Sequence, residues 1–327
     1  AIRQKRDIAA RADGTLIVTL GELIEHRLES FVVAHQKSGQ ASVNRLRSVW
    51  SKLLDKPMTE ITAWEIEKHR SDRMKAGVSV GTNNRDLAVL KSALARAVEW
   101  DIITTHPLTK VKPKSDRHSG VVRFLGSNDS DPTEEKRFRD ELAKRDREAI
   151  EARQRTIAGN RAQHADLKPL PADGFADYLT PLVLVAMNTG LRRGELTSLT
   201  WGDADLQRKL LTVRSGYAKS GKARHVPLNT EAVDALTRWK KQAPKGRIFD
   251  VDGIKTAWGT LLANAKVTDF RFHDLRHHFA SKLVQAGVDL NTVRELLGHA
   301  DLKMTLRYAH LAPSNTASAV ERIVRSA

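Results

Sequence analysis

The chain has 327 residues, a length that favours two domains over one or three. With 40% apolar residues it can form packed cores, and its lack of cysteine excludes disulfide scaffolds, cysteine-based zinc sites and thiol catalysis. The longest uninterrupted apolar run, around 181–187, is far shorter than the ~20 residues that span a bilayer, so we do not expect a membrane protein.

The charge balance is strongly basic and indicates a polyanionic partner. The 55 Lys and Arg residues outnumber the 39 Asp and Glu residues, which gives a formal net charge of +16. Both halves of the chain are basic. Because Lys and Arg release condensed counterions when they neutralise phosphates, a nucleic-acid surface is favoured over an ordinary solvated one.

The first hundred residues show the pattern of a small helical domain. Capping boxes at Thr19 and Thr62 predict two helices, the first running towards His35 and the second ending at Gly77. Apolar residues over 43–54 predict another helix between them.

A fourth helix is expected to be capped by Thr82, because leucines recur on one face after it. The basic stretch that follows is interrupted by prolines and predicts an irregular linker. We therefore predict an N-terminal tail over 1–16, a helical domain over 17–104, a linker over 105–123 and a second domain over 124–327.

The second domain is predicted to be mainly helical with one small antiparallel sheet. The charged segment 131–163 predicts one long exposed helix or two shorter ones, and a buried helix follows over 178–188. Strands are predicted over 206–214 and 223–228, around a turn at Ser220 and Gly221. Further helices are predicted over 230–241, 253–265, 274–286 and 291–297, with short segments over 302–310 and 315–325.

Six side chains together suit phosphoryl transfer without a metal. They are two guanidiniums, an amine, two imidazoles and a phenol: Arg192, Lys219, His273, Arg276, His299 and Tyr308. Guanidiniums bind phosphate oxygens and stabilise the charge of a pentacoordinate transition state. A phenol can be a covalent nucleophile once a base takes its proton, and a lysine or histidine can protonate the leaving alkoxide.

Several of these residues also have ordinary explanations. Glu195 either orients Arg192 across one helical turn or caps the helix. Lys219 competes with Lys222 in the same hairpin, where lysines often only solvate an edge. Tyr308 lies beside charged residues in a polar, flexible-looking segment, where a packing role is unexpected.

A metal site is the alternative interpretation of the histidines. His273 and His277 are four residues apart on a predicted helix, and Asp274 imitates the acid of H-E-x-x-H. Arg276 between them is unfavourable beside a dication, and no third ligand follows at metalloprotease spacing. We therefore expect no metal, and expect His277 and His278 to pack in the helix or face phosphate.

The order of these fragments resembles the tyrosine recombinase family, the phage-integrase branch in particular. The resemblance includes the T-G-L-R-x-x-E-L turn, the H-x-x-R and L-G-H motifs, and the helix start Thr82-Asn83-Asn84-Arg85. It places the family's catalytic residues at Arg192, Lys219, His273, Arg276, His299 and Tyr308. The implied fold is a helical core-binding domain followed by an α-rich catalytic domain with a small antiparallel sheet.

The resemblance implies a DNA strand-exchange enzyme that needs no cofactor. Tyr308 would form a 3′-phosphotyrosyl link to double-stranded DNA, with Lys219 protonating the leaving 5′-oxygen and His273 helping to deprotonate Tyr308. The arginines would hold the phosphate oxygens and His299 would add a hydrogen bond. DNA contacts are predicted at Arg85, Lys112, Lys114, Lys222 and Arg224.

The resemblance also implies a homotetramer on two DNA duplexes, with a terminal helix near 319–324 docked on the neighbouring protomer or on its own domain. Without DNA a monomer is possible, and a DNA-bending accessory protein is a further possible partner. A protein of the bacterial nucleoid in the cytoplasm is expected, integrating or excising a phage or other mobile element. The alternatives are a recombinase that resolves chromosome dimers, a DNA-binding architectural protein without chemistry, and a metal-dependent hydrolase.

Overall fold

Helices make up most of the chain that the computed structural model describes, namely residues 17–36, 38–115, 122–127, 131–159, 167–216 and 223–313. The chain divides into two units, Ala1–Ser119 and Gly120–Ala327. Within the described residues, no helix is long and apolar enough to cross a membrane.

The first unit consists of helices joined by short turns. They are α1 (Leu20–Leu23), a π-helical turn (Ile24–Leu28), α2 (Glu29–His35), α3 (Gly39–Val49), α4 (Ala63–Lys75) and α5 (Val80–Glu99), with short 3₁₀ turns at Ser51–Leu53 and Met58–Glu60. Both predicted capping boxes are confirmed, with Thr19 and Thr62 each bonded reciprocally to a glutamate three residues later.

The start of α5 differs from the prediction. Ser79, and not Thr82, is the N-cap residue: its side chain accepts a hydrogen bond from the Thr82 amide at 3.2 Å. Both residue types can cap, and the extended backbone of Ser79 starts the helix earlier than expected. The predicted periodic face is confirmed, since Leu87, Leu90 and Leu94 are buried in the core of this unit.

Residues 100–115, the described segment after α5, contain no helix or strand, but they pack firmly on the helices of the first unit. Their apolar residues join the core: Ile102, Ile103, Leu108 and Val111. The buried Arg70 donates to the Lys112 carbonyl at 3.1 Å, and Asn84 bonds both the amide and the carbonyl of Lys114 at 2.8 Å. The basic segment predicted as a linker is therefore held, through residue 114, by hydrogen bonds between its backbone and side chains of α4 and α5.

The second unit contains helices around a small sheet. The helices are α6 (Glu134–Gly159), α7 (Leu179–Thr189), α8 (Arg193–Ser198), α9 (Thr230–Gln242), α10 (Lys255–Asn264), α11 (Asp274–Gln285), α12 (Leu290–Leu297) and α13 (Lys303–Leu306), with 3₁₀ turns at Trp201–Asp203 and Ala309–Leu311. The strands are β1 (Ala204–Asp205), β2 (Leu210–Val213) and β3 (Arg224–Pro227).

The sheet is antiparallel in the order β1-β2-β3. Leu211 pairs with Val226, and both side chains are buried against the helices. The two predicted strands are confirmed in shortened form, since 206–209 form a turn. The predicted turn at Ser220 and Gly221 and the predicted terminal helix over 315–325 lie outside the described residues.

One long helix, α6, forms most of the charged segment 131–163. The expectation that it is simply exposed is wrong, because Phe138 and Leu142 are buried in the main core of the unit. The Phe138 ring meets Trp258 edge to face, with ring centroids 5.7 Å apart. Its charged residues thus lie on the remaining faces of an amphipathic helix.

The buried helix predicted over 178–188 is confirmed as α7, and it ends at Gly190 with φ +62°. This left-handed backbone favours glycine. A Cβ atom at Gly190 would lie 2.5 Å from Cδ1 of Phe279 and 2.9 Å from Cδ2 of Leu297. Glycine is therefore required at the point where α7, α11 and α12 converge.

Gly190→Ala should destabilise the second unit. We expect backbone strain to lower the free energy of unfolding by about 1–3 kcal/mol, with a similar contribution from the clash. Gly259→Ala on α10 is the matched control, because nothing lies within 4 Å of a Cβ atom there, and it should be stabilising by about 0.5–1 kcal/mol. Urea unfolding of both variants provides the measurement, and equal midpoints would contradict the packing described.

Candidate active site

Arg192 is positioned by the turn between α7 and α8. It is the N-cap residue of α8, with its backbone amide donating to Oε2 of Glu195 at 3.0 Å and its Nη1 donating to Oε1 at 3.0 Å. Both interpretations of Glu195 therefore hold, since one carboxylate caps the helix and orients the guanidinium.

Glu195 also binds Arg224, which reaches it from β3. The two terminal nitrogens of Arg224 donate to the two carboxylate oxygens at 3.1 and 2.7 Å. Burial alone would raise the pKa of Glu195, but Arg224 and then Arg192 hold it below its usual value. Glu195 is thus a buried anion between two cations. Only 11% of the Arg224 side chain is exposed, and its predicted contact with DNA stays a prediction.

Arg276 lies on α11 and is almost fully buried. It donates to the carbonyl oxygens of Gly190 and Leu297, each at 2.7 Å, and so joins the ends of α7 and α12. Burial, followed by the positive charge of Arg192, lowers the pKa of Arg276 to about 9, which leaves it charged at neutral pH. Backbone carbonyls therefore fix the direction of this guanidinium.

His299 follows Gly298, which ends α12 with a left-handed backbone. Its Nδ1 lies 2.9 Å from the hydroxyl of the buried Thr305. Burial, then Arg276 and Arg192, lower the pKa of His299 to about 3, so the imidazole is neutral at neutral pH. A neutral ring held at Nδ1 can present Nε2 to a ligand.

Tyr308 corrects the sequence interpretation, because it is a packed residue and only 1% exposed. Its ring lies in an apolar cluster with Val122, Phe124, Ala280, Val284, Val293 and Leu297. Its hydroxyl lies 2.6 Å from Nδ1 of His277. Burial raises the pKa of the Tyr308 phenol. The polar neighbours in the sequence gave no sign of this, since the apolar partners come from distant segments.

His273 and His277 are neighbours at the start of α11. Their rings meet edge to face, with centroids 5.3 Å apart. His273 is exposed, whereas His277 is half-buried and contacts Tyr308. From the sequence, His277 is expected only to pack in the helix or to face phosphate. Its place beside Arg276, one residue further round the helix, is the one signal that could have indicated a role at the site.

One open cleft of about 140 Å³ collects these side chains. It is lined by Arg192, His273, Arg276, His277, His299, Met304, Arg307 and Tyr308. Five of the six predicted catalytic residues meet here, and the sixth, Lys219, lies outside the described residues together with Lys222. The described lining contains three guanidiniums and no carboxylate, which suits a phosphate or another oxyanion.

The other predicted DNA contacts belong to the first unit. Arg85 on α5 and Lys112 are exposed. Lys114 is half-buried, with its Nζ 3.6 Å from a carboxylate oxygen of Glu67. These positions leave the predicted contacts available, and their binding to DNA stays a prediction.

His278 is not among the residues that line the cleft. It is buried, and its Nε2 lies 3.7 Å from a carboxylate oxygen of Glu135 on α6. Burial is the main cause that lowers the pKa of His278 to about 4. Over the part of the chain that the structure describes, no group of three or more His, Asp or Glu residues is arranged to hold a metal ion.

Models of known families match both units. The phage integrase family matches residues 172–315, and the phage integrase N-terminal domain matches residues 19–114. The two matches together cover most of the chain, and the cleft described above falls within the first of them. The chain belongs to the tyrosine recombinase family.

Individual relatives agree with this family. The chain is 31% identical over 262 residues to the integrase of Salmonella phage P22, covering 72% of this chain and 56% of the relative. It is 35% identical over 171 residues to tyrosine recombinase XerA of Pyrococcus furiosus, covering 48% and 57%. The chain thus spans just over half the length of these relatives.

A solved structure shows the same fold. The Tn1549 transposon integrase, in complex with transposon right end DNA, superposes with a TM-score of 0.68 at 20% identity, covering 94% of this chain and 99% of that chain. The mainly helical architecture with a small antiparallel sheet, expected from the sequence, is confirmed.

Removal of the buried carboxylate of Glu195 should destabilise the fold. We expect Glu195→Ala to lower the free energy of unfolding by about 3–5 kcal/mol, because two largely buried guanidiniums lose their counter-ion. Since the folded carboxylate has a lowered pKa, its contribution is present above the unfolded pKa and is lost as the pH falls through the folded pKa. The difference between wild type and variant should therefore shrink in acid.

The matched control for Glu195→Ala is Asp234→Ala, which removes an exposed ion pair with Arg238. That change should alter the unfolding free energy by less than about 1 kcal/mol. Urea unfolding at neutral and acidic pH compares the two variants. A loss at Glu195 no larger than that at Asp234 would show that the buried carboxylate does not hold the two arginines.

Proposed function

We propose that this chain is a site-specific DNA recombinase that cleaves and rejoins strands through a 3′-phosphotyrosyl intermediate. One observation carries the proposal above all: a cleft with three guanidiniums opens onto a tyrosine hydroxyl that is hydrogen-bonded to an imidazole. A phenol is a poor nucleophile unless a base is at hand and the charge of the phosphate is neutralised. This cleft contains groups for both tasks.

Cleavage would begin with attack of the Tyr308 oxygen on the scissile phosphorus. The new phosphorus–oxygen bond forms as the bond to the 5′-oxygen breaks, and Lys219 gives that oxygen its proton. Arg192 and Arg276 bind the non-bridging oxygens, where charge grows in the transition state. His299 donates a hydrogen bond from Nε2. Because the phosphodiester energy is kept in the tyrosyl ester, rejoining requires no ATP.

The fixed directions of the two arginines support this role. Arg276 uses one bond from each terminal nitrogen for the carbonyls of Gly190 and Leu297, and Arg192 is oriented by Glu195. A guanidinium has five N–H donors, so each retains donors for a phosphate. Groups aligned in advance need little reorganisation when the charge develops.

The substrate would be double-stranded DNA held by both basic units, mostly through its phosphates. The proposed contacts with DNA phosphates are Arg85, Lys112, Lys114, Lys222 and Arg224. Arg224 binds Glu195, which also binds Arg192 of the cleft. We propose a homotetramer on two duplexes in the bacterial nucleoid, with the terminal helix predicted near 319–324 docked on the neighbouring protomer. A DNA-bending accessory protein would assist assembly.

Integration or excision of a phage or other mobile element is the favoured biological role. The alignment with the P22 integrase covers 72% of this chain, whereas that with XerA covers 48%. The wider match favours an integrase over a recombinase that resolves chromosome dimers.

The test of the proposed function is a DNA substrate with a nick a few nucleotides to the 3′ side of the cleavage site. The short fragment that carries the freed 5′-hydroxyl then diffuses away, so rejoining fails and the covalent intermediate is trapped. Wild type should form a DNA-linked species that resists denaturant, and Tyr308→Phe should form none. Tyr178→Phe is the matched control, because that hydroxyl donates to the Gly253 carbonyl at 3.3 Å, away from the described cleft, and it should react like wild type.

Two outcomes of this assay would overturn the proposal. Wild type that binds the DNA but forms no covalent species would indicate an architectural DNA-binding protein. Activity that disappears with a chelator would indicate a metal-dependent hydrolase.

A further inference from the structure

Two histidines stand near the nucleophile, but only one of them is seen to touch its hydroxyl. Nδ1 of His277 lies 2.6 Å from the Tyr308 oxygen, within the range of a short hydrogen bond. The rings of the two residues are also in contact, with centroids 5.9 Å apart. The structure gives the exposed His273 no such bond and places it edge to face with His277.

We propose that His277, rather than His273, accepts the proton of Tyr308 during strand cleavage and returns it during rejoining. This inference rests on the proposed recombinase function and changes the residue expected to act as the base. His277 touches the reacting oxygen directly, so its role is catalytic and not only one of positioning.

The packing around Tyr308 makes the contact specific. The phenol ring is fixed in the apolar cluster with Val122, Phe124, Ala280, Val284, Val293 and Leu297. Its hydroxyl is therefore aimed at one place, and α11 presents His277 there. Because Arg276 and His277 are consecutive on α11, one helix supplies both the phosphate ligand and the base.

The electrostatic surroundings keep the imidazole of His277 neutral before the reaction. Burial, then His273 and Arg307 among its charged neighbours, lower the pKa of His277 to about 4, against the opposing effect of Asp274. The imidazole is thus neutral at neutral pH, and its Nδ1 can carry the lone pair that the phenol proton needs. An anionic phosphate in the cleft would favour the imidazolium and make the transfer easier.

The proposed step balances in both directions. In cleavage, the Tyr308 oxygen bonds to phosphorus as its proton moves to Nδ1 of His277, and the 5′-oxygen leaves with a proton from Lys219. In rejoining, the 5′-hydroxyl attacks the phosphotyrosine, Lys219 takes its proton, and the imidazolium of His277 protonates the departing phenolate. His273 is then available to contact the phosphate or the DNA strand at the rim of the cleft.

An asparagine substitution separates hydrogen bonding from proton transfer. In His277→Asn, the side-chain amide can occupy the position of Nδ1 and bond the hydroxyl, but it cannot take a proton at neutral pH. Cleavage of the nicked substrate should fall by about 10²–10⁴-fold, the usual contribution of a general base. His26→Asn changes an exposed histidine of the first unit and is the matched control, with wild-type cleavage expected.

A more acidic nucleophile then identifies the base. Fluorotyrosine at position 308 ionises more readily and depends less on a base. We expect it to reduce the defect of His277→Asn by about tenfold or more, and to leave the defect of His273→Asn unchanged. Rescue of His273→Asn alone, or near-normal cleavage by His277→Asn, would overturn the proposal.

A measurement without DNA separates this inference from the proposed function. In ¹⁵N spectra of the chain, Nδ1 of His277 should behave as an unprotonated nitrogen that accepts a hydrogen bond, and its signal should shift in Tyr308→Phe. A protonated Nδ1, or a signal insensitive to Tyr308→Phe, would overturn the inference. Failure of wild type to form a DNA-linked species would instead reject the recombinase function, while the spectra still decide the contact.

Discussion

The site depends on holding several positive charges close together in a partly buried cleft. Desolvation and mutual repulsion both oppose such a cluster, so each guanidinium requires a compensating partner. Glu195 compensates Arg192 and Arg224, and two backbone carbonyls compensate Arg276. Because none of these partners lines the cleft, the open side stays positive and can receive a phosphate.

The same arrangement links chemistry to folding. Gly190 offers its carbonyl to Arg276 only because its left-handed backbone lets α7 end against α11 and α12. Tyr308 is at once part of an apolar cluster and the partner of His277. In the proposed function, a hydroxyl fixed in this way would lose little freedom on approaching a phosphate, which is how binding geometry lowers a reaction barrier.

Much of this could be predicted from the sequence where the signals are local. The capping boxes at Thr19 and Thr62, and the buried helix α7, depend on residues a few positions apart. The predicted N-cap of α5 was wrong because both Ser79 and Thr82 can cap a helix, and the backbone conformation decides between them. The sequence motifs correctly predicted that five residues meet in the cleft, because the order and spacing of the motifs are specific. The burial of Tyr308, the contact of Glu195 with Arg224 and the contact of His277 with Tyr308 could not be predicted, because the partners are distant in the sequence.

The central claim is that the guanidiniums of Arg192 and Arg276 neutralise the negative charge of the scissile phosphate. It is tested most directly by a substrate in which a methyl group replaces one charged oxygen of that phosphate. On the ordinary phosphate, Arg192→Ala and Arg276→Ala, each with a native unfolding transition, should lose about 10²–10³-fold in cleavage rate. On the methylphosphonate, which carries no charge to neutralise, their rates should approach that of wild type. An equal loss on both substrates would contradict the account, because the arginines would then act elsewhere than on the phosphate.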